Sequence, residues 1–204
     1  SPVAGFASSA ISAGTPLGFQ YKWLPTTVIG QLSNYGNWTY ANETMTLGKG
    51  YIVRGPNSYS TTAFAPFTAP FTGVPNNGVI SIPISRSNYN AGNYTYVNGS
   101  GSTVLVTIED DNWNLVGNPY PSAIDAIDFL TLNTNIDGFV NIWTHGTSPS
   151  NAIPDPFYND YAYNYTPTDY LTFNAVGPST GPGSGMFSGK IAGGQGFFVS
   201  MLPT

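Results

Sequence analysis

The chain reads as all-β, an antiparallel β-sandwich-like architecture with an internal pseudo-repeat and one short helix. Three observations lead there. Twenty-four glycines and 17 prolines cut the 204 residues into short segments, the punctuation of a sandwich or barrel rather than of a helical protein. Several segments alternate along the chain with a period of two, as a strand with one buried face does. Two segments also look like copies: Leu47-Gly48-Lys49-Gly50-Tyr51-Ile52-Val53 and Gly193-Gly194-Gln195-Gly196-Phe197-Phe198-Val199 each run from a glycine turn into an apolar strand. Self-similarity of that kind bears on the whole fold.

The elements follow in chain order. Strands are expected over 19–24, 37–41, 51–54, 59–64 and 67–72. Asn76-Asn77-Gly78, ahead of Val79, has the chemistry of a hairpin turn, because Asn and Gly accept positive φ. In the strand expected over 79–84, Ile80, Ile82 and Ile84 alternate with Val79, Ser81 and Pro83. Pro83 has no N–H for a ladder, which marks that strand as an edge. Strands over 94–97, 103–108 and 113–116 come next, with Val104, Val106 and Ile108 alternating with Thr103, Leu105 and Thr107. A helix is expected over 123–130, capped by Ser122, with Ile124, Ile127 and Leu130 on one face. Asp125 and Asp128 then lie in its early turns, near the positive end of the dipole. Strands over 139–144, 161–165, 170–173 and 196–201 complete the chain, and 177–189, with Pro178, Gly181, Pro182, Gly183 and Gly185, reads as a loop.

The copy extends beyond the glycine turns. Trp113 to Tyr120 opens the second half, and Ser1-Pro2-Val3 lines up with Asn118-Pro119-Tyr120. Tyr21-Lys22-Trp23 sets against Asn141-Ile142-Trp143, and Tyr35 to Tyr40 against the 158–165 stretch. On this alignment the first copy lacks the strand ahead of Ser1, so the chain reads as a fragment of a longer polypeptide. The polar stretch 86–102 contains a strand and makes no clean linker. Residues 1–204 therefore read as a single compact β unit of two related halves, about 1–85 and 103–204; chance similarity among glycine turns is the competing explanation.

Composition narrows the function. Only 7% of residues are charged, against the usual quarter. Ser, Thr and Asn together number 61, so uncharged polar groups must cover most of the surface. Such an exterior depends little on salt or pH and fits an extracellular or outer-surface location. Cysteine is absent, which removes disulfides and thiolate metal sites. The net charge is -5, and the five basic residues, Lys22, Lys49, Arg54, Arg86 and Lys190, are scattered; nucleic-acid binding needs them clustered. No apolar run reaches the ~18 residues of a membrane span, so the chain reads as not membrane-spanning.

Candidate chemistry is sparse. His145 is the one histidine, and no Gly-x-Ser-x-Gly elbow accompanies it. Gly183-Ser184-Gly185 lacks that spacing. Glycoside hydrolysis needs two carboxylates at a set separation. Glu109, Asp110 and Asp111 read as a solvated turn, and Asp125 and Asp128 as helix-start residues. No residue is therefore assigned a catalytic role. A structural calcium is the one cofactor considered, because that ion takes carboxylate, carbonyl and Asn oxygens. Asp110 and Asp111 with Asn112, or Asp137 with Asn135 and the carbonyl near Gly138, offer such oxygens, although neither matches a spaced EF-hand loop. The candidate ligand-binding set is aromatic: Tyr158, Tyr161, Tyr163 and Tyr165, with Trp143. Exposed, the alternating Tyr161, Tyr163 and Tyr165 would stack on sugar rings or a protein partner; buried, they are core. Asn-x-Ser/Thr occurs at Asn37, Asn42, Asn93, Asn98 and Asn164 and matters only in a glycosylating host.

Trp113-Asn114-Leu115-Val116-Gly117-Asn118-Pro119-Tyr120-Pro121-Ser122, taken with the two glycine-turn segments, resembles β-rich modules of large Bacteroidota cell-surface and secreted proteins exported by the type IX secretion system, adhesin-like and gliding-associated. The resemblance is clearest from Tyr51 to Val199. It implies an exported protein whose partners are the type IX export machinery and neighbouring domains of the same polypeptide. In that family such regions often precede a C-terminal sorting domain. The expected function is then a non-catalytic surface module: a stalk, spacer or adhesive part. A carbohydrate-binding module that meets surface glycans through Tyr and Trp is the alternative, and a glycoside hydrolase comes third.

Overall fold

The computed structural model describes residues 20–24, 37–41, 45–53, 74–86, 94–97, 103–106, 113–144, 170–176, 181, 185 and 187–202. Short strands dominate them: β1 Gln20–Leu24, β2 Asn37–Tyr40, β3 Tyr51–Val53, β4 Tyr94–Val97, β5 Thr103–Val106, β6 Trp113–Gly117, β7 Ile124–Asp125, β8 Phe139–Trp143, β9 Tyr170–Asn174, β10 Lys190–Ile191 and β11 Gly196–Ser200. Between β7 and β8 runs one short helix, α1, Ala126–Leu132. Every strand pair is antiparallel. The fold class is thus all-β with a single short helix among the described residues. The expected strands over 59–64, 67–72 and 161–165 lie outside them.

The largest sheet has the order β6-β11-β8-β9, and a three-stranded sheet has the order β2-β1-β3. Side chains alternate across a strand, and the four-stranded sheet buries both faces. On one face, Val116, Val140, Ile142, Leu171, Phe197 and Val199 join Ala126 and Leu130 of α1 and Ile191 of β10 in the main core. On the other, Phe198 is packed by Trp113, Leu115 and Tyr170 of its own sheet and by Trp23 and Ile52 of the three-stranded sheet. Burying a side chain such as Phe or Ile contributes about 1.5–3 kcal/mol, so both faces add to stability.

Two expected elements are corrected. The helix begins three residues later than expected, and its cap is Asp125, not Ser122. The Asp125 carboxylate accepts the N–H groups of Ile127 at 2.8 Å and Asp128 at 3.1 Å. Ile124 and Asp125 are held in β7 by β10, so the chain cannot turn helical earlier. The buried face is accordingly Ala126 and Leu130, while Ile127 is 46% exposed. The strand expected over 79–84 is not a strand. Ile80, Ile82 and Ile84 do alternate in burial with exposed Ser81 and Pro83, and Ile82 and Ile84 pack on the main core. The segment is instead pinned at its end by a side chain: Ser85 N–H donates to Asn114 Oδ1 and Asn114 Nδ2 donates to the Ser85 carbonyl, both at 2.8 Å. Alternation reported burial against a core, which does not require a ladder. Gly78 does take positive φ, 75°, but no hairpin strand follows it.

The two similar segments share local geometry. Gly48 has φ 74° and Gly194 has φ 72°, a region that only glycine enters without cost. Tyr21 pairs with Ile52 in β1–β3 as Asn141 pairs with Phe198 in β8–β11. Trp23 pairs with Trp38 as Trp143 pairs with Tyr170. Position by position, β9 therefore stands to β8 as β2 stands to β1. The 158–165 stretch, set against Tyr35 to Tyr40 in the sequence, lies outside the described residues. The glycine turns also meet one strand. Gly117 N–H donates to the Gly48 carbonyl at 2.8 Å and Gly50 N–H to the Leu115 carbonyl at 3.1 Å. Asn118 N–H donates to the Gln195 carbonyl at 2.9 Å, and Gly194 N–H to the Asn118 carbonyl at 3.1 Å. The end of β6 is thus held by both segments.

Candidate functional site

Of the aromatic candidates, Tyr158, Tyr161, Tyr163 and Tyr165 lie outside the described residues. Trp143 ends β8, half-buried, opposite Tyr170 of β9. One step along the same face, Thr172 Oγ1 donates to Asn141 Oδ1 at 2.6 Å. Tyr170 leads into a knot of rings centred on Phe198, which is 7% exposed. Trp23, Tyr170 and Trp113 stand edge-on to it, with centroids at 5.2, 5.8 and 6.4 Å. Trp23 Nε1 donates to the Trp113 carbonyl at 2.9 Å, so this indole has its polar partner within the fold. Edge-to-face pairs add about 0.5–1.5 kcal/mol each beyond area burial. These rings join the two sheets, and the Trp143–Tyr170 end is the part of the face beside polar groups.

Asp110 and Asp111 lie outside the described residues. Asp137 is half-buried, and its Oδ1 accepts the Phe139 N–H at 3.1 Å, a local turn bond that Asp makes readily. Its backbone N–H donates to the Ser200 carbonyl at 3.0 Å, and the Asn135 carbonyl accepts from Leu202 N–H at 2.9 Å. Among the described residues no group of three or more His, Cys, Asp or Glu is placed to hold a metal ion. His145 lies outside the described residues.

The side chains with the most demanding surroundings are amides that the sequence reading passed over. Asn118 is 3% exposed. Its Nδ2 faces the carbonyls of Ser122, Ala192 and Ile191 at 2.9, 3.0 and 3.1 Å, and its Oδ1 accepts the Tyr120 N–H at 3.0 Å. Gly117-Asn118-Pro119-Tyr120-Pro121 and the Gly193–Gly196 turn are therefore one hydrogen-bonded unit. Asn114, 5% exposed, binds the backbone of Ser85 as described above. A signal existed for Asn114: it shares the strand parity of Val116, which places an amide on the apolar face. Ala192 N–H donates to Gln195 Oε1 at 2.9 Å, another amide closing a turn.

The charged pair at this end is Asp125 and Lys190, 2.5 Å apart and opposite each other in β7–β10. The hydrogen bond from Lys190, with those from the Asp128 and Ile127 amides, holds the Asp125 carboxyl below its ordinary range. The same bond, with the charge of Asp125, raises the Lys190 ammonium. Both groups face water, and the pair braces the start of α1.

A family model described as a domain of unknown function (DUF8693) matches residues 1–204. No curated protein and no solved structure matches the chain. Among the described residues no helix is long and apolar enough to cross a membrane.

Proposed function

We propose that this chain, which belongs to the DUF8693 family, is a non-catalytic module of a large exported protein, a stalk, spacer or adhesive part on the outer cell surface or outside the cell. In this reading two related sandwich halves, about 1–85 and 103–204, form one unit. The supporting observation is the use made of Asn118: a buried, uncharged amide whose nitrogen and oxygen are both engaged by backbone. Asn114, also buried, binds the backbone of Ser85 through both its oxygen and its nitrogen. Amides do this work without the pH and salt sensitivity of ion pairs, which suits a protein that meets an uncontrolled medium. The type IX machinery and neighbouring domains of the polypeptide are its proposed partners.

The carbohydrate-binding reading stands second, favoured by one feature: the Trp143–Tyr170 pair lies beside Asn141 and Thr172 on the same sheet face. Stacking rings next to amide and hydroxyl groups is what a sugar needs. One experiment separates the readings. The chain and its Trp143→Ala variant are put on a glycan array and through a glycosidase substrate panel. The structural reading expects no retained glycan and no turnover. Glycan retention lost in Trp143→Ala would establish the second reading in place of the first, and turnover would refute both.

A further inference from the structure

The turn Asn76-Asn77-Gly78 has a chemistry beyond its conformation. Asn77 and Gly78 are both exposed, and a Cβ built on Gly78 would meet no atom within 4 Å. Their neighbours are tied down: Asn76 Nδ2 donates to the Pro119 carbonyl at 2.8 Å, and Tyr120 Oη donates to the Gly78 carbonyl at 2.7 Å. The turn is thus presented to water by two anchors in the Gly117-Asn118-Pro119-Tyr120 segment. Glycine after Asn77 leaves the following amide nitrogen without a side chain to shield it.

We propose that Asn77 is a site of spontaneous, water-driven conversion to aspartate and isoaspartate. The Gly78 nitrogen gives its proton to hydroxide or a buffer base and attacks Asn77 Cγ. A new N–Cγ bond closes a five-membered succinimide, the Cγ–Nδ2 bond breaks, and Nδ2 takes a proton from water or the protonated buffer base and leaves as ammonia. Water then adds to one of the two ring carbonyls. Opening at Cγ yields aspartate; opening at the main-chain carbonyl yields isoaspartate, with the backbone rerouted through Cγ. Nothing is oxidised or reduced. Each event takes the net charge one unit below -5. Isoaspartate also lengthens the main chain by one carbon between Asn76 and Gly78, the two anchored residues, and so loosens the turn from Pro119 and Tyr120. Asn76 is an internal control, because its amide is engaged and the next residue is not glycine.

The test uses the folded full chain held in mildly alkaline buffer and then mapped with trypsin. Residues 55–86, between Arg54 and Arg86, form one peptide, and Asn98-Gly99 falls on another. The expected result is a mass shift of one dalton at Asn77 and none at Asn76, with isoaspartate identified by electron-transfer fragmentation. The shift disappears in Asn77→Gln, which retains an amide, and in Gly78→Ala. No shift at Asn77 in the folded chain, while the urea-unfolded chain acquires it, would overturn the proposal. So would a shift at that peptide that persists in Asn77→Gln.

Discussion

Ile52 and Phe198 occupy the same position of the two similar segments, and they pack against each other between the three-stranded and the four-stranded sheet. Each also has the corresponding strand partner, Tyr21 for Ile52 and Asn141 for Phe198. The contact between the sheets is therefore made by residues at matching positions of the two similar segments. Removing the larger of them should do the greater damage. Phe198→Ala deletes the ring that meets Trp23, Tyr170 and Trp113, and should cost about 3–5 kcal/mol. Ile52→Ala, at a half-buried site, should cost less. Urea unfolding of both variants measures the difference, and equal midpoints would contradict the central place of Phe198.

Asn118 should tolerate no neutral replacement. Each buried group left without a partner costs about 1–3 kcal/mol, and Asn118→Ala strands the Tyr120 N–H and three carbonyls. Asn118→Asp places a carboxylate against those carbonyls, which raises its folded-state pKa. A raised pKa makes the acid the favoured form, so the variant should regain stability as the pH falls and lose it as the pH rises. Thermal melts of Asn118→Asp across pH, read as the difference from Asn118→Ala at each pH, test the sign.

The glycine turns give a graded comparison. A residue with a Cβ forced to positive φ costs roughly 1–2 kcal/mol. Gly194→Ala should pay that cost alone, since its Cβ would enter open space. Gly48→Ala should cost more, because its Cβ would collide with the Ile82 side chain, which packs on the main core. The two melting temperatures, read side by side, check the order.

The Asp125–Lys190 pair predicts a two-sided pH response. Asp125 has a depressed folded-state pKa, so its contribution is present above the ordinary carboxylate value of 3.8 and fades as the pH falls through the lower folded value. Lys190 has a raised one, so its contribution is present below 10.5 and fades as the pH rises through the higher folded value. Asp125→Asn keeps an oxygen for the Ile127 and Asp128 amides and loses the charge pair; Asp125→Ala loses both. At neutral pH, stability should fall from the native chain to Asp125→Asn to Asp125→Ala. Added salt should narrow the first gap and leave the second, which denaturation at two ionic strengths will read.

Much of the fold was legible because its cues are local. Strand positions such as β6, β8 and β11 follow from runs of apolar residues between glycine and proline turns. The sequence similarity of 47–53 and 193–199 anticipated matching φ values at Gly48 and Gly194. The errors arose where a distant partner decided. β10, some 65 residues away in the chain, holds Ile124 and Asp125 extended and delays α1. An amide in β6 takes the place of a ladder for 79–84. For the candidate site, residue type alone names Trp143 and Asp137; the packing adds their surroundings, Tyr170 opposite Trp143 and the Phe139 N–H on Asp137 Oδ1.

By itself the sequence determined the class: no cysteine, few charges, periodic apolar residues and glycines at the turns leave an all-β chain. Only the tertiary structure decided which polar side chains are spent inside. An amide such as Asn118 reads the same in a strand, a turn or a binding site, because its character depends on which carbonyls the folded chain brings to it, and those of Ile191 and Ala192, at 3.1 and 3.0 Å, lie far away in the sequence.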